Sequence, residues 1–533
     1  MKLDLHHITR QMLLIVLFCG IQVSNQRLSA QTTVTIDNVE TWKASDLKSY
    51  VGKTITFATP FYVTNNYYTG SLYVSPRRIY APTNQAIPAS AEYNEILSAN
   101  STGEVKLTDV SGYHRMGERL LNMTVYVSST NSLQLKSCTW SGNTRNDLEG
   151  GYDATAIDLR GQHTLLVCAM NCEYYLTEQY SSTSSVGPNS DEEHQKQRTK
   201  ISKALAKIGA DIYGLVEIQQ GQGALKEIAQ DLTTKTGHTY TYVDDGTSAN
   251  GTYTKSGYVY RTDKVETYGE LVNINAIVGY RKKIQGFTEK STGERFLFSL
   301  NHFKAKSGNG SGSNADQGDG QGSYNASRVQ EAQAVLAQYS TSRNQLRDSD
   351  ILIMGDLNAY AKEDPITTLR EGGMIDLHRA FHADSSYSYT FHGQAGYLDH
   401  ALCNSTLYPQ VTGMVAYHIN SDESDSYTYD KSSDLTMFRC SDHDPVLVGL
   451  CLGQSTATQA VSFNNYEVYV NGETPCIRNA EGGYYIIYRV DGQIVMKDAI
   501  TSTEQLIDGL SSGIYIINIY GQGTCQSTKL LIP

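Results

Sequence analysis

Short apolar runs alternate with helical patterns between about residues 160 and 450, and this alternation constrains the fold more than any other feature of the chain. Buried strands are predicted at residues 164–169, 212–216, 296–300 and 351–354. Helices are predicted by apolar residues at 3.6-residue spacing in three sets, Ile201/Leu205/Ile208, Leu225/Ile228/Leu232 and Val329/Ala332/Leu336. Strands interleaved with helices predict a layered domain of both, which we place at residues 159–453.

The segments on either side of this domain contain strand patterns. Residues 31–158 alternate apolar and polar positions in short runs, at 54–58, 71–74 and 123–127, which predicts a small antiparallel barrel or sandwich. Residues 461–533 return to such runs and predict a third, small β module. The whole chain is therefore expected to be of the α+β class, with a long glycine-rich loop at 307–324 inside the middle domain.

The amino terminus has the features of an export signal. Residues 12–23 are apolar but fall short of the roughly 20 residues that a membrane-spanning helix needs. Lys2 and Arg10 precede the run and small residues follow at 29–30, so residues 1–30 are predicted to be a cleaved signal peptide; a buried terminal helix is the alternative. We expect no membrane-spanning segment. The eight remaining cysteines permit disulfides, with Cys476 and Cys525 as the favoured pair.

The net charge limits how the chain can meet an anionic partner. With 43 basic and 55 acidic residues, its formal charge is −12, which argues against a broad electrostatic grip on nucleic acid or membrane. A nucleic acid would have to be held by bound metal and a few local cations.

Polar residues recur where the predicted strands of the middle domain end. Taken singly, each has a structural interpretation as a turn former, a helix cap or a buried histidine. Together they indicate a site, because open sheets place reactive groups beyond their strand ends. They are Asn171, Glu217, Asn301 with His302, Asp356 with Asn358, Asp399 with His400, and Asp442 with His443 and Asp444.

These residue types restrict the chemistry. Carboxylate and amide oxygens suit a hard cation such as Mg²⁺, Mn²⁺ or Ca²⁺. Two histidines can serve as a base and as an acid or phosphate ligand. The combination predicts metal-assisted hydrolysis of a phosphate ester.

Five motifs in this order carry a resemblance to a known family. They are LVEIQ at 215–219, NHFKAK at 301–306, GDLNA at 355–359, YLDHA at 397–401 and CSDHDPV at 440–446. The stretch from 161 to 452 resembles the endonuclease/exonuclease/phosphatase superfamily, which includes pancreatic deoxyribonuclease and exonuclease III. The resemblance implies a four-layered α/β/β/α sandwich.

The same resemblance implies a function for individual residues. Glu217 would bind the metal, with Asn171 beside it and Asp442 as a further carboxylate. His443 would be the general base, held by Asp399. Asp356 and Asn358 would position water and phosphate, and His302 would bind the phosphate and assist the leaving group. Arg261, Asn301, Asn325 and Arg328 would contact the substrate. One departure stands out: family members resembling deoxyribonuclease carry a Glu about seven residues before the arginine matched by Arg261, and residues 254–260 contain no acid to support His302.

The flanking modules also resemble known ones. With LKSYVGKTITF at 47–57, residues 31–158 are similar to the OB-like domain that precedes the catalytic domain of secreted bacterial nucleases. With LSSGIYIINI at 510–519 and STKLLIP at 527–533, residues 461–533 resemble the carboxyl-terminal sorting domains of type IX secretion in Bacteroidetes. We therefore expect a secreted or surface-bound, divalent-metal-dependent nuclease that acts on extracellular DNA or RNA, with the secretion machinery as a partner of the last module. The alternatives are a lipid or sugar phosphate phosphohydrolase of the same superfamily and a non-catalytic, surface nucleic-acid-binding protein. DNA against RNA, endo- against exo-cleavage, the metal and the oligomeric state stay open.

Overall fold

A computed structural model describes residues 32–68, 70–178, 186–382, 385–453, 467–471, 474–480, 483–489, 493–521 and 524–532. The expected signal peptide lies outside these residues. Across the described segments, no helix has both the length and the apolar character required to cross a membrane.

The first module is a seven-stranded sheet with short helices, and we call it the barrel module because its strand pairings close on themselves. Its strands are β1 (Thr32–Val34), β2 (Thr54–Phe57), β3 (Phe61–Tyr68), β4 (Ser71–Ser75), β5 (Val105–Thr108), β6 (Arg119–Ser129) and β7 (Ser132–Ser141). Its helices are α1 (Pro82–Gln85), α2 (Ala91–Thr102), α3 (Arg145–Glu149) and α4 (Ala154–Ile157), with a 3₁₀ helix at Ala44–Tyr50. The strand order is β1-β2-β6-β3-β4-β5-β7, and β7 pairs back onto β6 and closes the barrel.

The strands predicted at 54–58, 71–74 and 123–127 are confirmed as β2, β4 and part of β6. The expectation of a purely antiparallel module is wrong, because β1 pairs with β2, and β5 with β7, in parallel. The inward side chains of alternating positions, such as Phe57, Phe61 and Val125, fill the barrel.

The middle domain follows in chain order. Its strands are β8 (Leu165–Tyr175), β9 (Ile212–Gln219), β10 (Tyr240–Tyr242), β11 (Thr254–Arg261), β12 (Val265–Asn273), β13 (Lys282–Glu289), β14 (Arg295–His302), β15 (Ile351–Asp356), β16 (Ile375–Asp376), β17 (Tyr389–Phe391), β18 (Gln394–Gly396), β19 (Asp399–Cys403), β20 (Val411–Ala416) and β21 (Val446–Leu450). Its helices are α5 (Asp191–Ile208), α6 (Gly223–Thr236), α7 (Asn325–Gln345), α8 (Asp364–Glu371) and α9 (Leu377–His382), with 3₁₀ helices at Gly312–Asn314, Tyr408–Gln410 and Asp425–Tyr427.

These elements form four layers. One sheet has the order β10-β11-β9-β8-β21-β20 and the other β12-β13-β14-β15-β19-β16. Side chains of both sheets, such as Val167 and Phe298, share the core between them. Leu205 of α5 belongs to the core on the outer face of the first sheet, and Val335 of α7 to the core on the outer face of the second. Strands covered on both faces are continuously apolar, which explains why the sequence pattern located them.

The predicted strands and helices of this domain are confirmed, and the strands are longer than their apolar runs. Each extends at its carboxyl end to include a polar residue: Asn171 in β8, Glu217 in β9, His302 in β14 and Asp356 in β15. The polar groups are therefore held within strands and not by free loops.

The last module consists of β22 (Glu467–Asn471), β23 (Thr474–Arg478), β24 (Tyr484–Arg489), β25 (Ile494–Ala499), β26 (Glu504–Leu506), β27 (Gly513–Gly521) and β28 (Thr524–Ile532). Its two sheets have the orders β22-β23-β26 and β25-β24-β27-β28, and Ile477 of one shares a core with Ile487 and Ile517 of the other. The thiol of Cys476 is buried and free, and the side chain of Cys525, its expected disulfide partner, lies outside the described residues.

Candidate active site

A row of polar side chains crosses the second sheet at one edge. The strand register pairs His302 with Asp356, and Asp356 with Asp399. The N–H of His302 donates to the carbonyl of Arg281 at 2.9 Å, which places Arg281 next to His302 on the other side. Directly paired residues point to the same face of a sheet. Arg281, His302, Asp356 and Asp399 therefore line one side of the cleft between the sheets.

The first sheet supplies the opposite side of this cleft. The amide nitrogen of Asn171 donates to Oδ2 of Asp356 at 3.1 Å, and Oε1 of Glu217 lies 3.5 Å from Nε2 of His302. Glu217 has a left-handed φ of 57° at a point where the register between β9 and β11 shifts. Such a bulge redirects a side chain. Here it directs the Glu217 carboxylate across the cleft.

His443 and Asp399 form a buried pair. Nδ1 of His443 lies 2.7 Å from Oδ2 of Asp399, and Nε2 lies 3.9 Å from carboxylate oxygens of both Asp356 and Asp442. Burial alone would lower the pKa of His443, but the Asp399, Asp442 and Asp356 carboxylates raise it well above its ordinary value. The ring of Tyr389 stacks on the imidazole with centroids 4.6 Å apart. The arrangement fixes the ring and leaves Nε2 turned toward the cleft.

The site is crowded with acceptors. Ligand atoms of Glu217, His302 and Asp356 all lie within 4.8 Å of one another. Burial, with the Asp442 carboxylate adding to its effect, raises the pKa of Glu217, and burial with Asp399 raises that of Asp356 to about 7. Two carboxylates and a neutral imidazole at this spacing suit a divalent cation, which would offset the repulsion that their crowding creates.

Amide groups orient the Asp356 carboxylate. The backbone N–H of Asn358 donates to its Oδ1 at 2.8 Å, and the Asn358 side chain donates to its Oδ2 at 3.2 Å. The amide oxygen of Asn171 accepts from the N–H of Glu173 at 2.9 Å. Asn171 thus holds Asp356 through its nitrogen, while its oxygen is engaged by the backbone.

His302 lacks the carboxylate support seen for His443. Its Nδ1 is buried without a hydrogen-bond partner among the described residues. Burial and the nearby charge of Arg281 lower the pKa of His302 well below its ordinary value. The absence of an acid at 254–260 therefore has a structural counterpart, and His302 faces the cleft as a neutral imidazole.

Comparisons with known proteins place the chain in a family. A model of the endonuclease/exonuclease/phosphatase family matches residues 175–443, about half of the sequence. The chain belongs to this family. Its members are phosphoester hydrolases and generally use divalent metals. No curated protein matches the sequence significantly.

Solved structures similar to the chain include three at low identity. An endonuclease/exonuclease/phosphatase from Bacteroides vulgatus is 16% identical, with 54% of this chain and 98% of that one covered, at a TM-score of 0.37. A mannosyl-6-phosphatase from Bacteroides thetaiotaomicron is 18% identical, with 54% and 99% covered, at 0.36. D. rerio TDP2 complexed with single-strand DNA product is 14% identical, with 53% and 97% covered, at 0.35.

Two of the residues expected to contact the substrate, Arg261 and Asn301, do not reach the cleft between the sheets. Arg261 ends β11 beside the start of β9, where its guanidinium pairs with Asp211 at 3.1 Å and with Asp263 at 2.7 Å. Asp211 and Glu217 are separated by the length of β9, so Arg261 lies about 20 Å from the cleft. Asn301 precedes His302 and points to the other face of β14, where it donates to Ser299 at 3.0 Å. The substrate roles expected for Arg261 and Asn301 must be corrected.

The other two expected contacts hold the glycine-rich loop. Arg328 is fully buried and donates to the carbonyls of Gln321 at 2.6 Å and Ser323 at 2.8 Å. Asn325 donates to Asp364 at 2.7 Å. Their positions correct the expected substrate roles to structural ones, because Arg328 is fully buried and the Asn325 amide donates to Asp364.

Sequence reasoning missed Arg281 and Ser388. The described residues include no ion-pair partner for the Arg281 guanidinium, although its charge affects the pKa values of both Glu217 and His302. The hydroxyl of Ser388 donates to Oδ2 of Asp399 at 2.8 Å. Neither residue lies in a motif. Only the pairing of β13 with β14, and of Ser388 with Asp399, brings them to the site.

Proposed function

We propose that the chain is a divalent-metal-dependent phosphodiesterase that hydrolyses nucleic acid, DNA or RNA, outside the cell. The observation that supports this most is the His443 imidazole, which is held by Asp399 on one nitrogen and turned toward the carboxylates of the cleft on the other. A base oriented in this way suits the activation of water for attack on a phosphate.

The proposed reaction uses the residues of the cleft in separate ways. Nε2 of His443 would take the proton of the attacking water, while Asp399 stabilises the resulting imidazolium. The guanidinium of Arg281 would bind a phosphate oxygen, since it is free of internal ion pairs within the described residues. His302, being neutral, would hydrogen-bond the phosphate through Nε2 without adding charge. Asn358 and Asn171 would keep Asp356 in place.

Glu217 and Asp356 are the groups that would hold the metal, and Asp442 is the further carboxylate near them, while Nε2 of His302 is kept for the phosphate. When bound, a divalent cation would neutralise charge that develops on the phosphate. Mg²⁺, Mn²⁺ and Ca²⁺ all bind carboxylate oxygens of this kind, and the activity with each ion shows which of them the site uses.

Two cationic side chains next to the polar residues of the cleft favour a polynucleotide as the substrate. Arg281 and Lys304 both lie on the His302 side of the cleft, and burial with the charge of Arg281 lowers the pKa of Lys304. The ammonium of Lys304 lies over the ring of Tyr324 at 4.3 Å and not on a carboxylate. Two cations without internal carboxylate partners in the described chain suit a substrate that carries further phosphates next to the one that is cleaved.

The flanking modules extend the proposal. The barrel closes in the cyclic order β3-β4-β5-β7-β6, as in a five-stranded Greek-key barrel, which supports an OB-type fold. The signal pattern at 1–30 and the resemblance of residues 461–533 to sorting domains support export with the secretion machinery as partner. Mass spectrometry of the exported protein should find a mature terminus after residue 30, and removal of 461–533 should keep it inside the cell.

The experiment that tests the catalytic proposal is a substrate panel. Supercoiled plasmid, linear duplex, single-stranded DNA, RNA, sphingomyelin and sugar phosphates would each be incubated with Mg²⁺, Mn²⁺ or Ca²⁺. Metal-dependent cleavage of a nucleic acid that is lost in His443→Ala supports the proposal. Hydrolysis of only lipid or sugar phosphates would replace the substrate class, and no metal-dependent hydrolysis of any of them would leave the non-catalytic, nucleic-acid-binding alternative.

A further inference from the structure

The barrel module holds two carboxylates that belong to a loop of the catalytic domain. Asp422 is fully buried and accepts hydrogen bonds from the side chains of Arg78 and of Asn143, the latter at 2.8 Å. The neighbouring Glu423 pairs with Arg115 at 2.6 Å. Buried ion pairs of this kind fix geometry, because neither partner can leave without exposing an uncompensated charge.

Asp422 also accepts a hydrogen bond from within the catalytic domain. The hydroxyl of Tyr387 donates to its Oδ2 at 2.7 Å. The Tyr387 ring stacks on His418 with centroids 3.7 Å apart, and the guanidinium of Arg78 lies 4.0 Å from the same ring centroid. Burial alone would raise the pKa of Asp422, but the charges of Arg78 and Arg115 lower it below its ordinary value. The Asp422 carboxylate is therefore ionised.

Tyr387 is followed by a residue that contacts the catalytic pair. The hydroxyl of Ser388 donates to Oδ2 of Asp399 at 2.8 Å, and the N–H of Asp399 donates back to that hydroxyl at 3.1 Å. The same Oδ2 holds Nδ1 of His443. One short path thus runs from Asp422 to the imidazole, by hydrogen bonds to Tyr387 and from Ser388 to Asp399, with the peptide bond between Tyr387 and Ser388 joining them.

A second path runs through the backbone that precedes Asp422. The N–H groups of Asn420 and Ser421 donate to Oδ1 of Asp444 at 2.8 and 2.9 Å. The Asn420 side chain donates to the carbonyl of His443 at 2.6 Å. The loop that the barrel grips is therefore the loop that holds the backbone at His443.

We propose that Arg78 and Asp422 are positioning residues for His443 and Asp399, and that the barrel is a structural part of the active site and not a separable binding module. The inference rests on the proposed function. A catalytic group must be held within roughly 0.5 Å of its working position, and a displacement of about 1 Å costs on the order of 100-fold in rate. Two paths that begin at one buried carboxylate provide that constraint.

The test uses variants that cut the path at defined atoms. Tyr387→Phe removes a single hydroxyl and keeps the ring stacked on His418. Arg78→Gln removes the positive charge that pairs with Asp422, and Arg78→Lys restores a positive charge. The matched control is Arg198→Gln, which breaks a guanidinium pair with Asp231 at 2.7 Å and Glu227 at 2.8 Å between the outer helices α5 and α6.

Three measurements are made on each full-length protein: kcat and KM for bis(4-nitrophenyl) phosphate with the best metal, the urea midpoint, and amide hydrogen exchange in 386–388 and 420–422. We expect kcat to fall about tenfold or more in Tyr387→Phe and Arg78→Gln, with KM within about twofold, and to recover in part in Arg78→Lys. Arg198→Gln should lose stability and keep its kcat.

An unchanged kcat in both Tyr387→Phe and Arg78→Gln would overturn the inference. If Arg78→Gln does not fold, Tyr387→Phe decides the matter alone. If the wild-type protein hydrolyses no phosphodiester, the proposed function has failed, and hydrogen exchange then decides the positional claim: faster exchange in 386–388 and 420–422 in Tyr387→Phe, but not in Arg198→Gln, supports it, and equal exchange overturns it.

Discussion

Oδ2 of Asp399 lies 2.7 Å from Nδ1 of His443, while Nε2 of the same ring faces Asp356 at 3.9 Å. The two nitrogens of one imidazole are therefore assigned to different partners. The first is committed to a buried carboxylate, and the second is turned toward the cleft, where a water molecule and a phosphate would meet it. The imidazole can therefore act as a base through Nε2 only while Asp399 holds Nδ1.

His443→Ala should lower kcat on bis(4-nitrophenyl) phosphate by about 10²–10⁴-fold, since it removes the general base, and Asp399→Asn should lower it by a similar factor, since it releases the ring. The matched control is His163→Ala, which breaks another histidine–aspartate pair, 2.6 Å from Asp158 and outside the cleft. Steady-state kinetics with circular dichroism of each variant are the measurement. Full activity in His443→Ala would contradict the assignment.

Metal should stabilise the protein as well as activate it. Burial raises the pKa of both Glu217 and Asp356, the Asp442 carboxylate adds to the rise at Glu217, and Asp399 and Glu217 add to the rise at Asp356. A cation bound among these carboxylates should therefore raise the melting temperature. EDTA should abolish hydrolysis and lower the melting temperature. Glu217→Gln should reduce the increase in melting temperature on addition of Mg²⁺ or Mn²⁺, whereas Glu266→Gln, at an exposed carboxylate of β12, should not. An identical metal response in both variants would argue against Glu217 as a ligand.

Functional groups at the ends of strands could be predicted from the sequence. Groups that reach the site only through long-range strand pairing could not. Glu217, His302 and Asp356 follow apolar runs within two residues, and the strand pattern that fixes their positions can be read from local periodicity. Arg261 also ends a strand, but that strand runs antiparallel to β9, so its end lies at the opposite edge of the sheet. Strand direction depends on long-range pairing, which periodicity does not contain.

The same limit explains Arg281. It precedes β13 and meets His302 only through the antiparallel register of β13 with β14. No local pattern distinguishes it from the other arginines of the chain. The substrate contact expected for Arg328 fails for a similar reason, because Arg328 is buried. Whether an arginine is buried depends on which carbonyls the fold brings to its guanidinium, and the local sequence does not show this.

Arg281 and Arg261 form a matched pair for testing this difference. Arg281→Gln should raise KM for a dinucleotide or longer substrate by about 10- to 100-fold, because a charge-assisted hydrogen bond to phosphate is worth about 1.5–3 kcal/mol. Arg261→Gln should leave KM unchanged, since its guanidinium pairs with Asp211 and Asp263 at the far edge of the sheet. Equal effects of the two substitutions on KM would contradict the placement of Arg281.

A buried cluster away from the catalytic row gives a prediction for stability and pH. Asp245 accepts from Lys255 at 2.8 Å and from Lys283, and all three side chains are at most 2% exposed. Burial alone would raise the pKa of Asp245, but the two ammonium groups lower it. Burial lowers the pKa of Lys283 to about 8. One carboxylate thus serves two buried cations.

Asp245→Asn should lower the free energy of unfolding by roughly 3–5 kcal/mol, because it leaves two ammonium groups without a counter-charge. Lys283→Met should be neutral or stabilising by about 1 kcal/mol at pH 7, since one buried pair remains. Between pH 8 and about 10.4, the unfolded chain holds the Lys283 proton more strongly than the folded protein does. The wild-type unfolding free energy should therefore rise with pH relative to that of Lys283→Met. Urea titrations of both proteins at pH 7 and pH 10 measure this difference, and parallel pH dependences would show that Lys283 keeps an ordinary pKa in the folded state.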